Sequence, residues 1–227
     1  MGEHAERIAK GSVSVLIASG SIVIVSFFFY PILVRLIDKE SFGFYAILLA
    51  IYNIACPLVA FGLFNSVRKN MGEVEGEEKK KVAMGGFSLS LIHSVIALAV
   101  GLVIVILMGY FKIVHGFIYS SLLIIVISIP LFAIYEVARS TIYGLHLESR
   151  AEGIRILEKL VAFTLGLTLV YFGFGIPGIF LGIFISLMGV SILGNIIVKS
   201  RIGFDITQLK EGFAKYQGVL FSFGGLT

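Results

Sequence analysis

The chain has 227 residues, of which 58% are hydrophobic and only 14% are charged, and its formal net charge is +4. A water-soluble domain needs more charge than this to cover its surface, so lipid must cover much of this one. The basic residues cluster between hydrophobic runs and do not line one exposed face, which argues against nucleic acid as a partner. The single cysteine, Cys56, excludes an internal disulfide and a cysteine-based zinc site.

Six apolar segments are each long enough to cross a bilayer, since about 20 helical residues span its hydrocarbon core. They cover about residues 13–34, 42–64, 87–111, 117–138, 154–174 and 177–198. A seventh segment begins near Phe213, but the roughly fifteen residues up to Thr227 cannot cross a bilayer at about 1.5 Å per residue. We therefore expect an all-α, polytopic membrane helix bundle with six transmembrane helices plus the start of a seventh. Residues 1–200 would form a six-helix lobe, and residues 201–227 an interfacial linker and a truncated seventh helix.

The distribution of Lys and Arg between the loops predicts the orientation of the chain. Fifteen of the 18 basic residues lie at the N-terminus or in the alternate loops on the same side of the membrane. The other side holds Arg35, Lys39 and Lys112. Because basic residues favour the cytoplasmic side, we expect a cytoplasmic N-terminus and a multi-pass protein of the cytoplasmic membrane.

Four shorter patterns indicate how these segments are connected. The stretch EVEGEEKKK, from Glu73 to Lys81, is typical of a solvated linker, and FGFGIPG predicts a tight turn before the sixth segment. Residues 201–216 carry apolar residues at helical spacing, which favours an interfacial helix. A stripe of small residues four apart in the sixth segment predicts a helix-packing seam. It consists of Gly178, Gly182 and Ser186.

The sequence lacks the patterns that are typical of enzymes and metal sites. The four histidines are scattered, and neither an HExxH motif nor a GxSxG nucleophile elbow is present. A catalytic site needs at least two titratable groups that face each other. We therefore expect no enzymatic activity, no cofactor and no metal.

The most informative polar residues are charged side chains in the fourth and fifth segments. Glu136 and Arg139 lie three residues apart on one helix face, as do Arg155 and Glu158, and Lys159 follows. In the predicted topology all five lie toward the cytoplasmic side. Charged side chains inside membrane helices are energetically costly, which favours a functional role. Two interpretations stay open. One is a water-filled cavity that accepts an anionic headgroup, and the other is a set of ion pairs at the headgroup boundary.

The stretch LVRLIDKESFGFYAILLAIYNIACPLVAFGLFNSVRKNMGE resembles polysaccharide flippases of the multidrug/oligosaccharidyl-lipid/polysaccharide exporter superfamily. In that family a basic residue closes the first helix, and a short outer loop carries an acidic residue followed by an aromatic-Gly-aromatic-Tyr pattern. Here Arg35, Glu40 and Phe42-Gly43-Phe44-Tyr45 resemble these features. The stretch from Arg139 to Leu160 is similar to the family's link between its fourth and fifth helices. The resemblance covers essentially the whole chain.

The resemblance implies the N-terminal half of a flippase. Such a protein translocates polyprenyl-diphosphate-linked oligosaccharides across the cytoplasmic membrane for surface polysaccharide biosynthesis. Members have twelve to fourteen helices in two six-helix lobes that rock about a midplane site. The implied partners are the lipid bilayer, the lipid-linked oligosaccharide and a second six-helix lobe. We expect that this sequence is truncated, or that another chain supplies that lobe.

The resemblance also implies roles for individual residues. Arg139, Arg155 and Lys159 would attract the diphosphate from the cytoplasmic side, and Arg35 would receive it near the outer side. The candidate carboxylates for a coupling ion would be Glu136 and Glu158. Two other functions stay open. A multidrug or metabolite exporter of the same superfamily requires an acidic cavity, against which the Arg and Lys bias argues. A non-transporting membrane scaffold or gene remnant requires only interfacial charges.

Overall fold

The computed structural model describes residues 2–60, 62–203, 209, 211–216 and 218. The elements within these residues are all helices, which confirms the predicted all-α class for the described chain. They are α1 (Gly2–Leu36), α2 (Lys39–Ala60), α3 (Leu63–Glu73), α4 (Glu77–Tyr110), α5 (Gly116–Gly144), α6 (Glu148–Leu169), a π-helical segment (Val170–Phe174) and α7 (Gly175–Ile202).

Five helical runs of the described chain are long and apolar enough to cross a membrane, which indicates a multi-pass membrane protein. They are Gly11–Leu36, Lys39–Val59, Glu77–Tyr110, Gly116–Gly144 and Glu148–Ile202. The last run covers 55 residues because it includes both α6 and α7, between which the chain reverses at Gly173. The count of six spans plus the start of a seventh stays a prediction. Residues 211–216 are helical, whereas most of the predicted seventh segment and part of the predicted interfacial helix lie outside the described residues.

Contacts along α1 and α6 show that these two helices run parallel. The hydroxyl oxygens of Ser14 and Ser149 lie 2.9 Å apart near the beginnings of the two helices. Further along both helices, the ring of Phe29 stacks on that of Phe163 with 4.2 Å between the centroids. The start of α1 and the start of α6 therefore lie at the same end of the bundle.

Contacts between α4 and α5 show the opposite arrangement. A Cβ atom on Gly86 would lie 3.5 Å from Val137, and one on Gly109 would lie 2.7 Å from Tyr119. Because residues near the start of α4 meet residues near the end of α5, the two helices are antiparallel. Such close approach of small residues is how membrane helices pack without a hydrophobic driving force between them.

Helix α5 contacts five other helices, namely α2, α3, α4, α6 and α7. Helix α7 runs parallel to it, since the Ser191 hydroxyl donates to the Leu131 carbonyl at 3.1 Å and a Cβ on Gly194 would lie 3.2 Å from Ala138. The end of α5, the starts of α4 and α6, and all of α3 therefore meet at one end of the bundle. This end carries the charged residues described below.

The turn from α6 to α7 depends on glycine. Gly173 has φ 89° and Gly175 has φ 57°, which are values that L side chains rarely adopt. The chain reverses here, and Pro177 follows in the first turn of α7, where its missing N–H leaves no helix bond unmade. The predicted turn is confirmed, and its first three residues belong to the π-helical segment.

The predicted seam of small residues is also confirmed, because it packs α7 against α6. A Cβ on Gly182 would lie 2.5 Å from the backbone nitrogen of Gly166. One turn later, the Ser186 hydroxyl donates to the Glu158 carbonyl at 2.6 Å. A Cβ on Gly178 would likewise press against the end of α6. The seam fixes the depth of Glu158 relative to α7.

Two predicted boundaries differ from the structure. The apolar segment at 42–64 is one predicted span, but α2 ends at Ala60 and α3 begins after Gly62, which has φ 75°. A left-handed residue cannot continue a right-handed helix, so the chain changes direction there. The stretch from Glu73 to Lys81 is mostly helical, because α4 begins at Glu77. Acidic residues in the first turn of a helix interact favourably with the helix dipole and so stabilise the helix start. Only residues 74–76 connect α3 to α4.

Candidate functional site

A group of charged side chains lies where α5 ends and α6 begins, with α3 beside them. Its members are Arg68, Glu136, Arg139, Glu152, Arg155, Glu158 and Lys159. The three carboxylate residues are nearly inaccessible, with exposed fractions of 8% for Glu136, 2% for Glu152 and 3% for Glu158. A buried charge is costly unless it is paired. The pairing of these groups therefore determines what the site can bind.

On α5, Glu136 and Arg139 form the ion pair that their spacing predicts. Both Nη2 and Nε of Arg139 donate to Glu136 Oε2, at 2.7 and 3.3 Å. The remaining guanidinium nitrogen, Nη1, lies 4.0 Å from Oε1 of Glu152 on α6. Arg139 thus faces a carboxylate on each of two helices.

On α6, Arg155 pairs with Glu152, at 2.6 Å between Nη2 and Oε2, and also donates to the Ser19 hydroxyl of α1 at 3.0 Å. The spacing in the sequence predicts Glu158 as the neighbour of Arg155, but the structure pairs Arg155 with Glu152. Helical side chains point back toward the helix N-terminus, which favours the residue three positions earlier. Glu158 pairs instead with its neighbour Lys159, at 3.1 Å.

Two members of the group, Glu152 and Arg68, were not expected from the sequence. Glu152 could have been found as a second carboxylate three residues from Arg155. Arg68 lies in a stretch whose basic residues were used only to predict orientation. In the structure its guanidinium carbon lies 4.0 Å from the centre of the Tyr143 ring, a cation–π contact between α3 and α5.

A cavity of about 370 Å³ opens between α2, α3 and α5. It is lined by Pro57, Gly62, Phe64, Asn65, Arg68, Phe132, Glu136, Arg139, Ser140 and Tyr143. The break at Gly62 turns α3 across the end of α5, so the guanidinium groups of Arg68 and Arg139 line the same space. Guanidinium groups present planar forks of donors that match phosphate oxygens. The cavity therefore combines two such forks with aromatic walls.

A second cavity, of about 210 Å³, lies beside the first. It is lined by Tyr52, Asn53, Cys56, Pro57, Phe132, Tyr135, Glu136, Arg155, Glu158 and Lys159. Glu136 lines both cavities, together with Pro57 and Phe132. Both residues expected to hold a coupling ion, Glu136 and Glu158, thus share one polar space with Lys159.

The structure therefore brings together five of the six residues predicted for the site and separates the sixth. Arg35 lies in the last turn of α1. Ser19, on the same helix, contacts Arg155 in the charged group. Sixteen residues separate Ser19 from Arg35, which is about 24 Å along a helix. Any contact of Arg35 with a ligand belongs to the opposite end of the bundle.

Comparisons with known proteins identify one matching family and one solved structure of similar fold. A family model described as "Polysaccharide biosynthesis protein" matches residues 8–225. No match was found among curated protein sequences. The fold is similar to a solved structure described as the outward-facing conformation of a multidrug resistance MATE family transporter of the MOP superfamily, with a TM-score of 0.68 and 14% identity. The match covers 96% of this chain and 52% of the transporter, so the chain spans about half the length of that protein.

Proposed function

The chain belongs to the polysaccharide biosynthesis protein family, and on that premise we propose that it is the N-terminal lobe of a flippase. Its substrate would be a polyprenyl-diphosphate-linked oligosaccharide that crosses the cytoplasmic membrane during surface polysaccharide biosynthesis. The family and the fold point to a membrane transporter rather than to an enzyme. The identity of the substrate as a lipid-linked diphosphate is proposed from the chemistry of the site.

The observation that supports this substrate is the cavity between α3 and α5. Arg68 and Arg139 line it from different helices, and Ser140 adds a hydroxyl group. A diphosphate can accept hydrogen bonds from both guanidinium groups at once. Phe64 and Phe132 supply apolar surface beside these donors. Such a combination suits a ligand with an anionic headgroup and an apolar chain.

The charge of the site favours an anion over the cations that a drug exporter of the same superfamily would carry. Four basic and three acidic side chains form the charged group. Each carboxylate already has a cationic partner, whereas Arg68 meets a ring and lines the cavity. An organic cation would therefore have to displace an existing partner, whereas an anion can first bind at Arg68, which contacts the Tyr143 ring.

The proposal includes a second six-helix lobe, on the same chain or on another. Alternating access requires two bundles that rock about a central site. The basic residues of the alternate loops favour the cytoplasm for the end of the bundle that carries the cavity. The substrate would accordingly arrive at Arg68 and Arg139 from the cytoplasmic side, and Arg35 would lie near its exit.

Binding of a polyprenyl diphosphate to the purified protein in nanodiscs of neutral lipid tests this proposal. We expect Arg68→Ala to weaken binding by about tenfold, since a charge-assisted hydrogen bond contributes about 1.5–3 kcal/mol. The matched control is Lys69→Ala, which removes the same charge from the adjacent exposed residue, whose amine faces Glu73 at 3.8 Å. A polyprenol of equal length should bind much more weakly. Equal binding of diphosphate and polyprenol, or equal losses in the two variants, would contradict the proposal.

A further inference from the structure

Glu152 occupies a position between the two arginines that the α5 and α6 helices contribute to the site. Its Oε2 atom lies 2.6 Å from Nη2 of Arg155, and its Oε1 atom lies 4.0 Å from Nη1 of Arg139. Among the ion pairs of the described residues, it is the buried carboxylate that faces cations on two different helices. Its charge thus acts on both guanidinium groups at the same time.

The hydrogen bonding of this carboxylate is incomplete. Neither Glu152 oxygen has a hydrogen-bond partner among the described residues, and Nε of Arg155 has none either. By contrast, Glu136 accepts two hydrogen bonds from Arg139, and Glu158 accepts one from Lys159. A buried polar group without aligned hydrogen bonds is held less firmly than one that has them. Glu152 therefore attracts the two arginines by charge and does not lock their orientation.

The cavities show in which directions these arginines can turn. Arg139 lines the cavity of about 370 Å³, and Arg155 lines the cavity of about 210 Å³. Glu152 lines neither, so it lies behind both arginines as seen from the cavities. A negatively charged ligand that binds to Arg139 or Arg155 from these cavities draws that guanidinium group away from Glu152.

We propose that Glu152 is a positioning residue that competes with the ligand for these arginines, an inference that rests on the proposed function. In the empty site, Glu152 holds the guanidinium groups of Arg139 and Arg155. When a phosphate group arrives, its oxygens take over donors of one or both arginines. Glu152 is then left with fewer cationic contacts, and this cost lowers the binding free energy of every anion that takes those donors.

This competition sets a threshold that a ligand of high charge passes more easily than one of low charge. A diphosphate carries more negative charge than a monophosphate and can engage two guanidinium groups at once. It compensates for the weakened contacts of Glu152, whereas an anion with a single phosphate group compensates less. Phospholipids with one phosphate group are abundant in any bilayer, so a site that accepted them would be filled continuously. By weakening every anion, Glu152 therefore keeps the site from filling with single-phosphate lipids and leaves it to the diphosphate, which has the larger gain on binding.

The experiment compares Glu152→Gln with wild type in nanodiscs of neutral lipid, with polyprenyl diphosphate and polyprenyl monophosphate as probes. Removal of the competing charge should tighten the binding of both the diphosphate and the monophosphate by about tenfold, since close charge pairs have coupling energies of at least this order. The control is Glu148→Gln, which removes the same charge from the same helix at a side chain that is 32% exposed. It should leave both affinities unchanged.

Inorganic pyrophosphate, which has no lipid chain, separates the headgroup from the lipid. It should gain affinity in Glu152→Gln by the same factor as the lipid diphosphate, because the competition concerns only phosphate oxygens. A gain confined to the lipid would contradict the proposal. If Glu152→Gln does not fold, Glu152→Asp withdraws the carboxylate by one methylene group and should give a smaller gain in affinity for both lipids.

The outcomes separate this inference from the function on which it rests. If the wild-type protein does not prefer polyprenyl diphosphate to polyprenol, the proposed function fails. If it does, but Glu152→Gln binds the diphosphate equally or more weakly, only the role of Glu152 is overturned. A loss of thermal stability with unchanged affinities would likewise show a purely structural residue.

Discussion

At the scale of single residues, Asp38 ends the connection between α1 and α2 and caps the first turn of α2. Its carboxylate accepts the Ser41 backbone N–H at 2.9 Å and the Ser41 hydroxyl at 2.7 Å. These hydrogen bonds, the backbone one first, hold the pKa of Asp38 below the ordinary value of 3.8 because they stabilise the charged form. The cap thus depends on the ionised carboxylate.

Asp38→Asn should therefore reduce the pH dependence of thermal stability. Because the pKa of Asp38 is lowered by folding, its contribution is complete above 3.8 and is lost as the pH falls through the lowered value. Asparagine caps a helix without titrating, so the variant should match wild type at neutral pH and lose less stability in acid. Thermal midpoints in detergent from neutral to acidic pH measure this difference.

The control for that series is Ser41→Ala, which removes the hydroxyl bond and keeps the backbone bond. Because the backbone hydrogen bond is the larger cause of the lowered pKa, this variant should retain most of the wild-type pH dependence. If Asp38→Asn and wild type lose stability in parallel as the pH falls, then Asp38 does not cap the helix in solution.

The charged group shows which contacts a sequence can and cannot predict at this scale. Glu136 and Arg139 were predictable because both lie on one helix, three residues apart. The partner of Arg155 was not, since carboxylates three residues away occur on both sides and side-chain direction decides between them. The contact of Glu152 with Arg139 joins two helices. Spacing along one chain segment carries no information about such a contact.

At the scale of elements, hydropathy predicted where helices lie but not where one of them breaks. The segment at 42–64 is apolar throughout, and composition alone does not reveal the left-handed backbone of Gly62. That break turns α3 across the end of α5 and brings Arg68 to Tyr143. Arg68 was missed as a site residue because the helix boundary at Gly62 was not predicted.

The α6–α7 seam leads to a prediction about packing. Gly182→Ala would place a Cβ 2.5 Å from the Gly166 nitrogen and 2.9 Å from the Ala162 carbonyl oxygen. Backbone atoms cannot move aside without separating the helices. We expect a loss of about 1–3 kcal/mol of stability, the usual cost of overpacking. Thermal unfolding of the protein in detergent measures it.

Gly189→Ala is the matched control on the same helix, because a Cβ there would meet nothing within 4 Å. It should be neutral, or stabilising by about 0.5–1 kcal/mol, since alanine favours a helix over glycine. Equal losses at the two positions would mean that glycine matters to α7 for flexibility and not for contact with α6.

At the scale of the whole molecule, length and hydropathy were sufficient to predict the class and the general course of the chain. A chain that crosses lipid must satisfy the hydrogen bonds of its own backbone, and the α-helix is one of the few structures that do so. The alternating directions of α4, α5, α6 and α7 follow from short connections between long apolar segments. How helices pack laterally depends on small residues that meet across helices. For that reason the position of α5 and the two cavities beside it required the structure.

The central claim is that the protein moves a polyprenyl-diphosphate-linked oligosaccharide across a membrane. The most direct measurement is translocation of a fluorescent lipid-linked oligosaccharide in proteoliposomes that contain the protein together with the proposed second six-helix lobe. An impermeant quencher reports the fraction on the outer leaflet. We predict transport above that of protein-free liposomes, a clear reduction in Arg68→Ala and a wild-type rate in Lys69→Ala. Transport no faster than in protein-free liposomes, or a wild-type rate in Arg68→Ala, would contradict the account.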